Sequence, residues 1–418
     1  MDSKAVKSLL NWAEKPVAAA FPYSATVGEV RRRGKHFVDR MVLEALDHTR
    51  RCAVAKAPFG LVDPFLEKFL DVVLDKYDDK YNYLTYTALP LLEYVRPPVA
   101  DDADPSLVQH VHDVTVCSII GDLLRFELNQ LEGGETFLPE LPPDAELVER
   151  RLKFALRSIE PSLARLGFDV SDESVSVRQH SEKALRFCSS QQLAHSQFIL
   201  DVSMMPVYVA HDEHLFIRIL QALDATFVSV CGLLRRAIRA FDEELKGVPR
   251  FILAGNAILD EGLKHFLTLA TMQKESFCTF REFTTGASAI QSVNYKTMES
   301  LCRNPDKERL EGLAYSSVPG LQKSLRNGGE SIDDKFAQLR ADPEIDSQLL
   351  IAIDAAMRAL SETMTRWRHS HYGIAKKYLG EGGSGTGYTE GTPYLKSVKD
   401  LAVFTTVSPN AAKPARQH

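Results

Sequence analysis

The sequence predicts an all-α protein, and three observations predict it. Apolar residues recur at steps of three and four over long stretches, the spacing of a helix face. Proline and glycine punctuate these stretches, while alternating polar and apolar runs joined by hairpin turns are nearly absent. With 418 residues, 44% of them hydrophobic, the chain can bury a large core and is long enough for two domains.

In chain order, helical patterns cover 61–77, 106–131, 145–166, 212–245, 255–274 and 343–380. Linkers separate them at Arg96-Pro97-Pro98 through Asp102, at Glu132-Gly133-Gly134 through Pro143, and at Arg326-Asn327-Gly328-Gly329. No internal repeat is present. Residues from about 405 onward, rich in alanine, proline and polar groups, read as a loose tail. The expected division is an N-terminal helical domain of unknown role over 1–190 and a second domain over 191–418.

A net charge of -6 gives no broad basic field, so nucleic acid is not an expected partner. Arg31-Arg32-Arg33 and Lys35 read as a short solvated charge run. Six scattered cysteines without a C-x-x-C pair argue against a zinc ribbon, a covalent haem attachment motif and a disulfide scaffold, and fit a reducing cytosol. The N-terminus has no basic start followed by an apolar core, and no apolar run reaches transmembrane length. A cytoplasmic protein without membrane insertion is expected.

Within 343–380, Ile353, Met357, Leu360, Met364, Trp367, His371, Ile374 and Tyr378 form one stripe. His371 is thus set in an apolar face, as an axial ligand to a buried cofactor would be. His369, two positions earlier, points nearly the opposite way, so the two cannot clamp one metal. The other reading of His371 is a core histidine hydrogen-bonded to a neighbour.

The helix from His211 carries Leu215, Phe216, Ile219, Leu220, Leu223, Phe227, Val230 and Leu234 over a broad arc and belongs in a core. Its start, His211-Asp212-Glu213-His214, spaces two histidines as a metal site could, although no third donor is evident. Alternatively, Asp212 and Glu213 complement the helix dipole and the histidines lie at the surface. A third stretch, Phe277 to Phe283, sets Arg281 among aromatic residues, where a guanidinium needs a carboxylate. That carboxylate is either a ligand's or an internal one such as Glu275 or Glu282. Gly286, Ala287, Ser288 and Ala289 follow, small enough to admit a flat group or to pack helices.

These elements together resemble the haem-dependent tryptophan 2,3-dioxygenase and indoleamine 2,3-dioxygenase superfamily. His211-Asp212-Glu213-His214-Leu215-Phe216-Ile217 is similar to the H-D-E-x-L-F-I helix start of its tryptophan branch. Phe280-Arg281-Glu282 with Ala287-Ser288-Ala289-Ile290-Gln291-Ser292 is similar to that branch's F-R-x and S-S-G-F-Q-S segments. Arg368-His369-Ser370-His371, then Gly385-Thr386-Gly387-Tyr388-Thr389 and Tyr394-Leu395, resemble the indoleamine branch's R-x-x-H helix, G-T-G-G-T loop and aromatic-leucine close. The likeness covers roughly 200–300 and 365–397, and the indoleamine branch also carries an extra N-terminal helical domain.

The resemblance implies a helical haem-binding domain over 191–418, with haem b as cofactor and His371 as proximal iron ligand. It implies that Arg281 binds the substrate carboxylate, that Thr386 contacts the amino acid's ammonium or carboxylate, and that Phe216 and Phe277 pack on an aromatic ring. Ser288 would lie near the distal haem face. Where the tryptophan branch has a histidine for the indole nitrogen, this chain has Leu220, with no side-chain base; the indoleamine branch has serine there. Phe277 replaces a tyrosine and Tyr388 a loop glycine, giving a less polar pocket with a bulkier lid. The implied activity is insertion of O2 into the indole 2,3-bond of tryptophan or a related indole, giving an N-formylkynurenine-type product. Monooxygenation or rearrangement of an aromatic amino acid in secondary metabolism is the alternative, and non-catalytic haem binding or sensing the second. A homo-oligomer is expected from the tryptophan branch, whose subunits share pocket edges.

Overall fold

The computed structural model describes residues 4–56, 62–96, 99–100, 102–170, 175–193, 195–387 and 390–407. Tyr388 and most of the tail beyond 405 lie outside the described residues, as do Pro97, Pro98 and Asp101 of the first linker. No strand occurs among those described; Glu140 and Ala210 form an isolated bridge.

The long helices start and stop where local chemistry dictates. Asp104, Asp144 and Asp346 cap Pro105–Leu131, Ala145–Arg165 and Ser347–Leu379, each side chain accepting a first-turn backbone N–H. Gly380, at φ +79°, ends the last of these in a conformation that glycine adopts without strain. The expected helix over 255–274 is instead two, Val248–Gly262 and His265–Leu269, with Lys274–Arg281 after them. Its start lies earlier because Pro249 serves a first turn, where its missing N–H costs nothing. The 61–77 pattern resolves to Pro64–Val73 followed by turns.

The helix Asp212–Glu243 is the axis of the molecule. Pro105–Leu131, Val248–Gly262 and Val293–Cys302 pack around it, and Ser347–Leu379 packs on Val248–Gly262. Gly262 lets Val248–Gly262 come close to the axial helix, since a Cβ there would lie 2.9 Å from Thr226 Cγ2. By length and composition this axial helix would suffice to cross a membrane, contrary to the reading of the sequence, but 72% of the window that qualifies is buried inside the protein. The stripe of Ser347–Leu379 faces the same core: Ile353, Met357 and Leu360 are fully buried. Each such side chain stabilises the fold by about 1.5–3 kcal/mol. One apolar cluster runs from Leu9 to Phe404 and includes residues on both sides of position 190.

The basic run near the N-terminus is a solvated face only in part: Arg32 is exposed, but Arg31 and Lys35 are drawn into the fold. Arg31 donates through Nε to Met204 O at 3.0 Å and lies over the Phe137 ring, while Lys35 is buried against Asp75 at 2.7 Å. The methylene stems and paired charges let these residues join helix Tyr23–Arg33 to the segment before the axial helix.

Candidate active site

A cavity of about 240 Å³ lies beside the axial helix. Phe216, Leu220, Leu223 and Phe227 line it at steps of four, three and four along one helix face. His371, Ile374 and Tyr378 line it from Ser347–Leu379, Phe277, Arg281 and Ser288 from the segment after the axial helix bundle, and Thr386 from the glycine-rich loop. The volume falls just below the roughly 300–1,000 Å³ of usual small-ligand sites. A large flat ligand therefore requires the wall to give; Gly385 and Thr386 of the glycine-rich loop are half-buried parts of it, and Ala289 is exposed.

His371 sits deep in the fold yet opens onto the cavity. No hydrogen-bond partner for its ring occurs among the described residues; the Trp367 ring lies 5.1 Å away and the Phe266 ring 6.4 Å, centroid to centroid. A core histidine held by a neighbour would have a partner. Burial, with a smaller contribution from Lys296, lowers its pKa to about 4, so at neutral pH the imidazole is uncharged and has a free lone pair. His369 points away, 2.7 Å from Asp400 at the surface.

Arg281 has no carboxylate partner among the described residues. Its guanidinium donates to the backbone carbonyl of Ser384 in the glycine-rich loop, and burial lowers its pKa from the usual guanidinium value. Neither Glu275 nor Glu282 pairs with it. Phe216 packs edge-on against Phe277 at 5.9 Å and tilted against Phe280 at 5.4 Å, so the ring-lined wall is already assembled. Leu220 adds only hydrocarbon. Thr386 Oγ1 donates to Ala287 O at 2.5 Å, and Gly286 N donates to Thr386 O at 2.9 Å. These bonds stitch the glycine-rich loop to the 286–288 segment.

Gly387 fits this seam because it has no side chain: a Cβ would fall 2.4 Å from Ser288 Cβ. Gly387→Ala is therefore expected to hold the loop off the cavity. Misplacing the loop by a fraction of an ångström should raise KM about 10-fold, with cofactor content unchanged; parallel KM and cofactor assays check both.

Several wall residues escaped the sequence reading, among them Lys296, Glu299 and Arg309 and two tyrosines far from them in the chain. Tyr83 and Tyr86 line the cavity from within residues 1–190. Gln291 Oε1 accepts from both Tyr83 N and Ser288 N at 3.0 Å, fastening that segment to the site. Tyr86 Oη donates to Glu213 at 3.3 Å. The aromatic cluster Tyr81 to Tyr86 is visible in the sequence, but its contacts are more than 120 residues away, beyond any periodicity.

The His211–His214 segment does neither of the things expected of it. No group of three His, Cys, Asp or Glu able to hold a metal occurs among the described residues. Nor are the histidines at the surface: both are buried, with Phe126 stacked on His214 at 4.0 Å and tilted on His211 at 4.5 Å. They face different acids, His214 3.4 Å from Asp122 and His211 3.5 Å from Glu127, the latter without hydrogen-bond geometry. Asp212 instead clamps the fold, accepting from Arg151 at 2.6 Å and from Gln273 N at 2.5 Å. Arg151 also reaches Glu127 at 3.2 Å. Asp212→Ala leaves a buried guanidinium and an N–H short of partners, and is expected to destabilise the fold by about 3–5 kcal/mol, read from the urea midpoint.

No family model matches the chain. It is similar to three curated proteins called tryptophan 2,3-dioxygenase. The one from Pseudomonas fluorescens is 24% identical over 242 residues, covering 49% of this chain and 84% of the relative. The one from a Nocardioides species is 29% identical over 219 residues, covering 45% and 80%. The one from a Polaromonas species is 22% identical over 263 residues, covering 54% and 89%. About half of this chain accounts for most of each relative. Over about half its length the chain is thus similar to tryptophan 2,3-dioxygenases.

Proposed function

We propose that this chain is a haem-dependent dioxygenase that opens the indole 2,3-bond of tryptophan or a related indole to give an N-formylkynurenine-type product. The observation that carries the proposal is an unpartnered, neutral imidazole, His371, on the wall of a cavity that also presents aromatic rings and a guanidinium without a carboxylate. Those residues fit a haem: His371 would hold its iron, and the apolar walls would suit a flat macrocycle. When bound, haem supplies the binding and activation of O2.

The chain's own residues do the rest. Arg281 holds the substrate carboxylate, since its fork has N–H groups to spare beyond the Ser384 carbonyl. Thr386 has already given its hydroxyl proton to Ala287, so toward the substrate its oxygen accepts, and the ammonium is the group it suits. Phe216 and Phe277 would flank the aromatic ring, and Ser288 lines the same cavity, where it would meet the bound substrate or O2. No base acts on the ring nitrogen from position 220, because Leu220 has none. The glycine-rich loop excludes water once closed. Residues 1–190 are, in this reading, part of the catalytic unit, because Tyr83 and Tyr86 complete the cavity.

The test is depletion of substrate by reduced, haem-loaded protein in air, with L-tryptophan, indole, ring-substituted tryptophans, L-tyrosine and L-phenylalanine offered in parallel. Consumption of an indole with appearance of a formylated aniline product is expected. Consumption of a non-indole aromatic amino acid alone would overturn the substrate assignment. One observation favours the second reading, monooxygenation of an aromatic amino acid: the hydrocarbon wall at Leu220 does not require an indole N–H.

A further inference from the structure

A second concavity, of about 490 Å³, opens among the N-terminal helices and shares no described lining residue with the first. Its volume lies within the range of usual small-ligand sites. Three stretches build it: Phe21-Pro22-Tyr23 where Tyr23–Arg33 begins, Asp63 and Phe65 where Pro64–Val73 begins, and Phe198 from Ser196–Ser203. The Tyr23 ring lies 5.6 Å from Phe65 and 5.3 Å from Phe198, and Phe65 lies 5.8 Å from Phe198, so the three make one continuous aromatic wall. Phe69 and Phe21 brace Tyr23 from the core at 4.9 and 4.8 Å. Phe198 is nevertheless 40% exposed, a large ring that the fold leaves uncovered at the groove.

Asp63 is the one charged residue among the described lining. Its Oδ1 accepts from Leu66 N at 3.0 Å and so caps Pro64–Val73, while no cation pairs with the carboxylate among the described residues. Burial, with a smaller contribution from Asp63, raises the pKa of the Tyr23 phenol, which keeps its proton at neutral pH and adds no charge of its own. The negative faces of aromatic rings and a free carboxylate favour the same kind of ligand, a cation. The outer edge of this cluster already holds one: the Lys68 ammonium sits 5.2 Å over the Tyr94 ring, which packs edge-on against Phe65 at 5.1 Å. Lys68 is paired with Glu93, so it does not neutralise Asp63.

We infer that this groove is a second binding site, for a small organic ammonium cation with an apolar body and no acid group. The apolar body covers the Phe198 ring, and the ammonium meets Asp63 and the neighbouring rings of Tyr23 and Phe65. A ligand carboxylate would face Asp63 with no described cation in the wall to receive it, so amino acids are disfavoured. This is the reverse of the first cavity, where Arg281 has a guanidinium free for a carboxylate. The site does not depend on haem binding at His371.

The experiment titrates the full-length protein calorimetrically with phenethylammonium, its neutral analogue 2-phenylethanol and its anionic analogue 3-phenylpropanoate at constant ionic strength. Saturable binding of the cation, at least about 10-fold tighter than either analogue, is expected of aromatic faces reinforced by a carboxylate. Asp63→Asn, which removes the charge while asparagine still caps the helix, should erase most of that preference. Phe198→Ala, at an exposed position, should weaken cation binding by about 10-fold through lost apolar cover. Equal affinity for the cation and the alcohol overturns the inference and leaves an unselective apolar surface. Cation binding that neither variant changes also overturns it, because the ligand then sits elsewhere, the first cavity included. Absence of binding overturns it as well; if Phe198→Ala then lowers the particle mass on size-exclusion chromatography, a second copy of the chain is what covers the groove. Should Phe198→Ala not fold, Asp63→Asn alone decides.

Discussion

His371→Ala is expected to abolish the Soret band of histidine-ligated haem, or shift it to that of a weakly held five-coordinate or water-ligated form. Removing a partner that merely orients a metal ligand costs about 10- to 100-fold in affinity or activity, so loss of the ligand itself should cost at least about 100-fold in turnover. The reason is local. Among the described residues no other histidine lines the cavity, and His369 points to solvent against Asp400. The fold should survive, because the stripe anchoring this helix is carried by Ile353, Met357, Leu360 and Met364. Circular dichroism beside the haem spectrum separates the two effects. A variant that keeps both its helicity and an unaltered haem spectrum would show that the iron is held elsewhere.

Arg281→Ala should separate substrate binding from cofactor binding. Its guanidinium contacts one backbone carbonyl and no acid, so the carboxylate of an incoming amino acid is its natural partner. A charge-assisted hydrogen bond of this kind is worth about 1.5–3 kcal/mol, or roughly 10- to 100-fold in KM. Haem content should be unchanged. Because Arg281 also touches Ser384, part of the loss will come through a looser glycine-rich loop; Arg281→Lys, which keeps the charge and loses the fork, should recover only a fraction. Unchanged KM in Arg281→Ala would remove this residue from the substrate site.

What was legible in the sequence followed from periodicity and caps. The 353–378 stripe placed His371 and separated it from His369, because 3.6-residue geometry needs no knowledge of the partner. The helices 106–131, 145–166 and 343–380 were readable within a few residues, since aspartate caps and a terminal glycine mark them. What failed depended on distant partners. Lys35 looks solvated until Asp75, 40 residues on, comes to meet it. Asp212 reads as a dipole complement until Arg151 and the Gln273 backbone claim it. Tyr83 and Tyr86 reach the cavity only because Gln291 ties their segment to the 288–291 turn. Residue types disclosed which groups need partners; the chain's long-range closure decided which partners they met.

The most direct test of the proposed reaction is the oxygen count in the product. Haem-loaded protein is reduced, given its best indole substrate under oxygen-18 gas, and the product is weighed by mass spectrometry before the formyl group is hydrolysed. Dioxygenation at the 2,3-bond predicts a product carrying both labelled atoms, one on each new carbonyl. A product with a single labelled oxygen would contradict the account and assign the cavity to monooxygenation instead.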